Sequence, residues 1–122
     1  MASPEDIAKA FQEHYYRTFD QNRAALQPLY QDNAILSFEG QKFQGHAAII
    51  GKLTSLPFQK VQHHISSTDA QPSLSNGLIV FVTGQLLIEG ETNPLKFSQV
   101  FHLAATGGSF IITNDIFRLN YA

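Results

Sequence analysis

The stretch Ser109–Tyr121, which reads SFIITNDIFRLNY, decides the fold class of this chain. Alternate residues of an extended strand face opposite sides of a sheet. One side then carries Phe110, Ile112, Asn114, Ile116 and Arg118. The other carries Ile111, Thr113, Asp115, Phe117 and Leu119. Because both sides are largely apolar, we predict a central strand with two covered faces, one against the domain's own helices and one against a second copy of the chain.

Three more strand-like runs lead into this stretch: Phe58–Gln71, Leu78–Glu89 and Leu95–Ala105. Aliphatic and β-branched residues dominate the second run, which favours a strand over a helix. The segments between the runs contain glycine, asparagine or proline, which favour tight turns. These segments are Pro72–Gly77, Gly90–Pro94 and Thr106–Gly108. We therefore predict that the last four runs form an antiparallel meander.

The start of the chain carries the signals of a helix. Ser3 supplies a capping hydroxyl, and the proline and two acids of 4–6 suit the first turn of a helix. The helix is predicted to extend to about Phe19. Its buried stripe recurs every four residues and consists of Ile7, Phe11, Tyr15 and Phe19.

Four shorter elements follow this helix. Asp20 is expected to cap a short second helix over Arg23–Tyr30. Two short strands, Ala34–Glu39 and Gln41–Gln44, are predicted around a tight turn. A third helix is predicted over His46–Leu56, because its apolar residues recur on one side and a proline follows it.

Helices early and a meander late predict a single α+β domain over residues 1–122. We expect three N-terminal helices to pack on one face of a strongly curved antiparallel sheet. A helix layer against such a sheet makes a cone with a central cavity, and cavities of this kind are where ligands usually bind.

The composition excludes several classes of function. The chain has 122 residues, no cysteine and a formal net charge of -2. Without cysteine it can form neither a disulfide nor a thiolate metal site. With no basic stripe it is not expected to bind nucleic acid, and a basic protein surface is the better partner. No apolar run approaches the roughly 20 residues of a membrane span, and the polar start is unlike a signal peptide.

Apolar residues from several separate elements are candidates to line the cavity. They are Phe38, Leu56, Phe58, Val61, Leu86, Ile88, Phe97 and Phe117. The polar candidates are His63, His64, Asp69, His102 and Asp115. An acid and a histidine in an apolar cavity could transfer protons, but core packing and structural hydrogen bonds explain the same residues without catalysis. The two adjacent histidines face opposite sides of a strand, so they are not an ordinary metal pair.

Three acids, Glu39, Glu89 and Glu91, lie at strand ends or turns. Two of them directly follow candidate cavity residues, Phe38 and Ile88. If these turns lie together, the result is an apolar hole with an acidic rim, which would suit an aromatic side chain from a basic partner. Three solvated turn residues are the plainer alternative.

Six segments together resemble the nuclear transport factor 2 family: HYYRTFD (14–20), FEGQKFQG (38–45), SLPFQKVQHHI (55–65), DAQPS (69–73), FSQVFHL (97–103) and NDIFRLNY (114–121). The resemblance covers essentially the whole chain. It implies the cone-shaped α+β fold shared with ketosteroid isomerase and scytalone dehydratase, and a homodimer through the exposed sheet face. It also implies a carrier that takes the GDP-bound form of the GTPase Ran into the nucleus, with no cofactor.

The resemblance also assigns residues. Glu39, Glu89 and Glu91 take the places of the family's acidic rim, and Phe38 that of its cavity aromatic. The remaining candidate lining residues belong to the cavity that receives a switch-region phenylalanine of Ran-GDP. Ile116 takes the place of the family's dimer-face residue, and the alternation of the strand adds Ile112 to that face.

The family also binds the phenylalanine-glycine repeats of nucleoporins. Some members carry an aromatic residue near the N-terminus for this purpose, and Pro4 stands at the corresponding place here. Repeat binding is then expected either to be weaker or to use other residues at the subunit boundary. The resemblance places the protein in the cytoplasm and nucleus, concentrated at the nuclear envelope.

Two other readings stay open at the level of sequence. A small isomerase or dehydratase could use the same fold, with Asp115, His63 and His102 as its candidate residues, because fold alone does not choose the function. An interaction module of the kind fused to larger proteins is a further possibility.

Overall fold

A computed structural model describes residues 3–58 and 60–120. Gln59, inside the predicted strand Phe58–Gln71 and the SLPFQKVQHHI segment, lies outside the described residues. So does Tyr121, at the end of SFIITNDIFRLNY. Within the described part, no helix combines the length and apolar character needed to cross a membrane.

The first helix, α1, spans Pro4–Gln21. The Ser3 hydroxyl accepts a hydrogen bond from the Asp6 N–H at 3.1 Å, which is the predicted cap. Tyr15 and Phe19 are buried, and Ile7 and Phe11 pack against the same core. The four-residue stripe therefore faces the sheet as expected.

A 3₁₀ helix, Arg23–Leu29, follows α1. Its cap is Asn22, whose side chain accepts a hydrogen bond from the Ala24 N–H at 3.2 Å, so the prediction that Asp20 caps this helix was wrong. Asp20 instead accepts a hydrogen bond from the His63 backbone N–H at 3.1 Å. This contact joins residues far apart in the sequence, which local capping rules cannot show.

The first two strands are β1, Tyr30–Phe38, and β2, Gln41–Gln44. The turn between them holds Glu39 at φ 53° and Gly40 at φ 87°. Positive φ at both central residues matches the twist of a tight hairpin. The second α-helix, α2, then spans His46–Thr54 and packs against β1, β2 and the 3₁₀ helix.

The remaining strands are β3, Val61–Pro72, β4, Leu78–Ile88, β5, Leu95–Thr106, and β6, Ser109–Leu119. They pair in antiparallel succession, which confirms the predicted meander. A short 3₁₀ turn, Leu74–Asn76, joins β3 to β4.

The six strands form one sheet in the order β2-β1-β6-β5-β4-β3. The sheet is mixed, because β1 pairs parallel with β6, so the prediction of a wholly antiparallel sheet was wrong. A hairpin sets the direction of its two strands through its turn. The β1–β6 pair joins distant parts of the chain, where no turn signal sets the direction. The central position predicted for β6 is correct.

A β-bulge interrupts the alternation of β6. His102 pairs with Asn114 while the next residue, Leu103, pairs with Ile112, so Thr113 is an extra residue in the strand. Ile112 is consequently 0% exposed and lies in the core, whereas Ile116 is 49% exposed on the other face. The prediction that Ile112 shares the outward face with Ile116 was wrong, since one extra residue moves every side chain before it to the opposite face.

Candidate functional site

An apolar pocket of about 140 Å³ lies between the helices and the inner face of the sheet. Residues from both α-helices, from the segment after α2 and from every strand except β2 line it. They are Tyr15, Phe19, Leu36, Phe38, Leu53, Leu56, Phe58, Val61, His63, Leu86, Ile88, Leu95, Gln99, Asp115, Phe117 and Leu119. Every apolar lining residue predicted from the sequence is among them except Phe97.

Phe97 is fully buried behind the wall of the pocket. Its ring lies 5.7 Å from that of Phe117 at an interplanar angle of 20°, and it supports the wall without facing the cavity. Tyr15 and Phe19 do face the cavity, although their helical stripe gave only a core assignment. The four-residue repeat identifies the inner side of α1, but it cannot show where the packing beneath that side leaves a space.

Stacked aromatic rings form one wall of the pocket. The rings of Phe38 and Phe117 lie 4.8 Å apart at 11°, which is an offset-stacked geometry. The ammonium nitrogen of Lys52 lies 5.3 Å from the Phe38 ring centroid on a face of that ring. The two nearly parallel rings give this wall a flat aromatic surface, and the Lys52 ammonium lies at its edge.

The floor of the pocket is a buried hydrogen-bond network centred on Asp115, which is 1% exposed. Tyr30 donates its hydroxyl to one carboxyl oxygen at 2.7 Å, and the Gln99 amide donates to the other at 2.8 Å. Tyr16 in turn donates to the Gln99 amide oxygen at 2.8 Å. The Tyr15 and Tyr30 hydroxyl oxygens are 2.5 Å apart. The network satisfies these polar groups within the chain itself.

Burial raises the pKa of the Asp115 carboxyl from 3.8 to about 6, while the hydrogen bonds from Gln99 and Tyr30 lower it. Burial also raises the pKa of the Tyr15, Tyr16 and Tyr30 hydroxyls well above their ordinary value. These tyrosines are therefore neutral donors at neutral pH.

His63 also lines the pocket. Its Nδ1 lies 2.6 Å from an Asp20 carboxyl oxygen, and its imidazole packs 4.5 Å from the Tyr16 ring. Asp115 and His63 thus both reach the pocket, but each is already held by structural hydrogen bonds. Among the described residues, no group of three or more acids, histidines or cysteines could hold a metal.

The other polar candidates lie away from the pocket. His64 and Asp69 are exposed. His102 is on the outer face of the sheet, where its ring nitrogens lie 2.8 Å from the Ser73 hydroxyl and 2.6 Å from the Thr113 hydroxyl. The three residues named for an isomerase or dehydratase therefore do not converge as a set.

Glu39 lies beside the aromatic wall, in the turn that follows Phe38. Its backbone N–H donates to the Phe117 carbonyl at 3.1 Å, and its carboxylate accepts a hydrogen bond from the Leu119 N–H. These contacts fix the half-buried carboxylate at the β1–β6 side of the pocket.

Glu89 and Glu91 lie on the other side, in the β4–β5 turn. They line a cleft of about 620 Å³ that also contains Val61 and Ile88, and these two residues line the apolar pocket as well. Lys60 approaches Glu89 at 3.9 Å, but both side chains are exposed, so this pair contributes little. We call Glu39, Glu89 and Glu91 the acidic rim.

The outer face of the sheet carries an apolar row. Phe81, Val100 and Ile116 are consecutive partners across β4, β5 and β6. Phe81 is 38% exposed and Ile116 is 49% exposed. Ile79 and Ile35 add to the exposed apolar surface on the neighbouring row. An apolar patch of this kind is typical of an interface between proteins.

The fold and the pocket define a class: a small α+β domain that holds an apolar pocket between its helices and a curved mixed sheet. Residues 7–119 match the family described as the Nuclear transport factor 2 (NTF2) domain. The chain belongs to that family, and the sequence resemblance is confirmed.

Individual relatives agree with this assignment. Nuclear transport factor 2B of Arabidopsis thaliana is 59% identical over 98% of this chain and 96% of its own length. Nuclear transport factor 2 of Oryza sativa subsp. japonica is 58% identical over 94% and 95%. The structure of nuclear transport factor 2 from Cryptosporidium parvum superposes with a TM-score of 0.91 at 52% identity, covering 96% of this chain and 94% of that one.

These relatives carry the name of a transport factor, not of an enzyme. The chain is accordingly a nucleocytoplasmic transport carrier, and the isomerase or dehydratase alternative is not supported. The hydrogen-bonded state of Asp115 and His63 agrees with a structural role for both.

Proposed function

We propose that this protein carries Ran-GDP into the nucleus and binds it by receiving a switch-region phenylalanine of Ran in the apolar pocket. The observation that carries the proposal is the position of the pocket between the two parts of the acidic rim. Glu39 lies on one side, and Glu89 and Glu91 lie on the other. Basic residues flanking the inserted phenylalanine would meet carboxylates on both sides.

The pocket suits the side chain in size and polarity. Its volume of about 140 Å³ is close to the roughly 150 Å³ of an apolar cavity known to bind benzene in another protein. Burying a phenylalanine side chain contributes about 1.5 to 3 kcal/mol. The rim charges then set the orientation and the association rate, since electrostatic complementarity acts mainly on those two properties.

Three further parts of the proposal rest on the family and on the outer face of the sheet. The protein forms a homodimer through the apolar row, because a second copy would cover Ile116 and Phe81 in both subunits. It binds phenylalanine-glycine repeats of nucleoporins at the subunit boundary, without an aromatic at Pro4. Repeat binding would concentrate it at the nuclear envelope.

Calorimetric titration of Ran-GDP tests the role of the rim. We expect Glu39→Lys to weaken binding by about 2 kcal/mol, or roughly thirtyfold, because repulsion replaces attraction beside a partly desolvated pocket. Phe38→Ala should also weaken binding through loss of the aromatic wall. Ran loaded with GTP is the partner control.

Two variants separate charge from structure in this experiment. Glu39 supports the end of β6 through the Leu119 N–H, so it is more than the solvated turn residue of the plainer alternative. Glu39→Gln keeps an oxygen for that N–H and removes only the charge, while Glu13→Lys makes the same reversal on an exposed site of α1. Unchanged affinity in well-folded Glu39→Lys would contradict the role of the rim.

A further inference from the structure

Arg23 stands beside the mouth of the pocket, at the first residue of the 3₁₀ helix. Its Nη2 donates a hydrogen bond to the Phe58 carbonyl at 2.7 Å. Its guanidinium carbon lies 5.0 Å from the Phe58 ring centroid and 5.8 Å from that of Phe19. These contacts hold a permanently charged group against two aromatic residues of the pocket.

The charge of Arg23 is not balanced within the described part of the chain. Nη1 is buried and has no hydrogen-bond partner there. None of the ion pairs among the described residues includes Arg23. Asp20, which lines the same cleft, is committed to His63 through both of its carboxyl oxygens. The guanidinium therefore carries its positive charge beside the cleft without an ion-pair partner among the described residues, and a carboxylate is the group that best pairs with such a charge.

The cleft at Arg23 lies next to the apolar pocket. It measures about 390 Å³ and is polar, with the side chains of Asp20, Asn22 and Arg23 among those that line it. Phe19, Leu56 and Phe58 line both the cleft and the pocket. A single segment of a partner can therefore place one side chain in the pocket and a neighbouring one in the cleft.

We propose that Arg23 binds a carboxylate of the partner, carried by an aspartate or glutamate close in sequence to the aromatic residue that enters the pocket. The inference rests on the proposed function, because it concerns the same partner. The residues around the pocket then recognise three features of the inserted segment: basic residues at the acidic rim, an aromatic ring in the pocket, and an acid at Arg23. An acid at Arg23, together with basic residues at the acidic rim, would favour one orientation of the inserted segment.

A double-mutant cycle with Ran-GDP tests the pairing. On Ran, each aspartate and glutamate within about four residues of the inserted phenylalanine is changed to its amide, one at a time. On this protein, Arg23 is changed to Gln, and Arg17→Gln on the exposed side of α1 serves as the matched control. Calorimetry gives the dissociation constant of each combination, and thermal melts check the folding of each variant.

We expect Arg23→Gln to weaken Ran-GDP binding on the order of tenfold, and Arg17→Gln to leave it unchanged. One Ran amide variant should weaken wild-type binding similarly and have no further effect on Arg23→Gln. That coupling separates a direct contact from a structural role at Phe58, which would weaken binding equally for every Ran variant.

The outcomes that overturn the inference are distinct from those that overturn the proposed function. Wild-type protein that does not bind Ran-GDP removes the proposed function, and the inference with it. Wild-type protein that binds, with every Ran amide variant additive to Arg23→Gln or with Arg23→Gln binding normally, removes the inference alone.

Discussion

The two faces of the sheet are both rich in apolar residues, but the described part of the chain covers only the inner face. On the inner face, Asp115 and Gln99 find their hydrogen-bond partners, and the apolar side chains around them are buried. On the outer face, Phe81 and Ile116 remain more than a third exposed. The comparison shows that apolar content alone does not distinguish a core from an interface. The distinction lies in whether the same chain supplies the cover.

Substitution of Ile112 tests the inner side of this comparison and should have the largest effect. Ile112→Glu places a carboxylate with no partner at a position that is 0% exposed. Loss of apolar packing and burial of a charge should together cost on the order of 5 kcal/mol, which equals the whole stability of many domains. Circular dichroism should show an unfolded chain at 37 °C.

The control for this experiment is Ile112→Val, which removes a single methylene from the same site. We expect it to fold and to lose about 1 kcal/mol of stability. A folded Ile112→Glu protein that had become monomeric would contradict the bulge at Thr113, since it would return Ile112 to the outer face.

Substitution of Ile116 tests the outer side. Ile116→Glu should leave the fold intact, because the residue is 49% exposed in one subunit. In the proposed homodimer the charge would be buried in each half of a two-fold interface, at about 3 to 5 kcal/mol for each unpaired carboxylate. Sedimentation equilibrium should therefore find a monomer where wild type is a dimer.

Ile116→Leu keeps the apolar surface and should remain dimeric under the same conditions. An Ile116→Glu protein that stayed dimeric at micromolar concentration would show that the apolar row has a different use. A wild-type monomer would have the same consequence.

Local chemistry made much of the fold predictable. Ser3 and the acids after it marked the start of α1, and the turn residues between the last four runs marked the meander. The features that were missed are contacts between distant residues. The parallel pairing of β1 with β6 and the capture of Asp20 by His63 have no signal in any one window of sequence.

The candidate site was predictable to a similar degree and for the same reason. Most lining residues were found because they are apolar residues on elements that had to face the helices. The bulge at Thr113 was not predicted, because a period of two assumes uninterrupted pairing. The extra residue can be identified only from the register of β6 with β5. Arg23 was not predicted as a site residue, because its role depends on a contact with Phe58 and on a cleft, and residue spacing in the sequence indicates neither.

The polar floor of the pocket, centred on Asp115, should give the smallest effect. It tests whether the buried groups of the inner face behave as buried. Burial raises the pKa of Asp115 to about 6 in the folded protein, against 3.8. A group whose pKa is raised by folding stabilises the folded state at a pH below its pKa in the unfolded chain. This stabilisation is lost as the pH rises through its pKa in the folded protein. At about 1.4 kcal/mol for each pKa unit, the difference between the two pKa values predicts that up to about 3 kcal/mol of stability is lost between pH 4 and 7. Urea unfolding at fixed protein concentration should show this decline in wild type and in the exposed control Glu13→Gln, and its absence in Asp115→Asn. If the free energy of unfolding changed with pH in the same way in wild type and in Asp115→Asn, Asp115 would not titrate as a buried group.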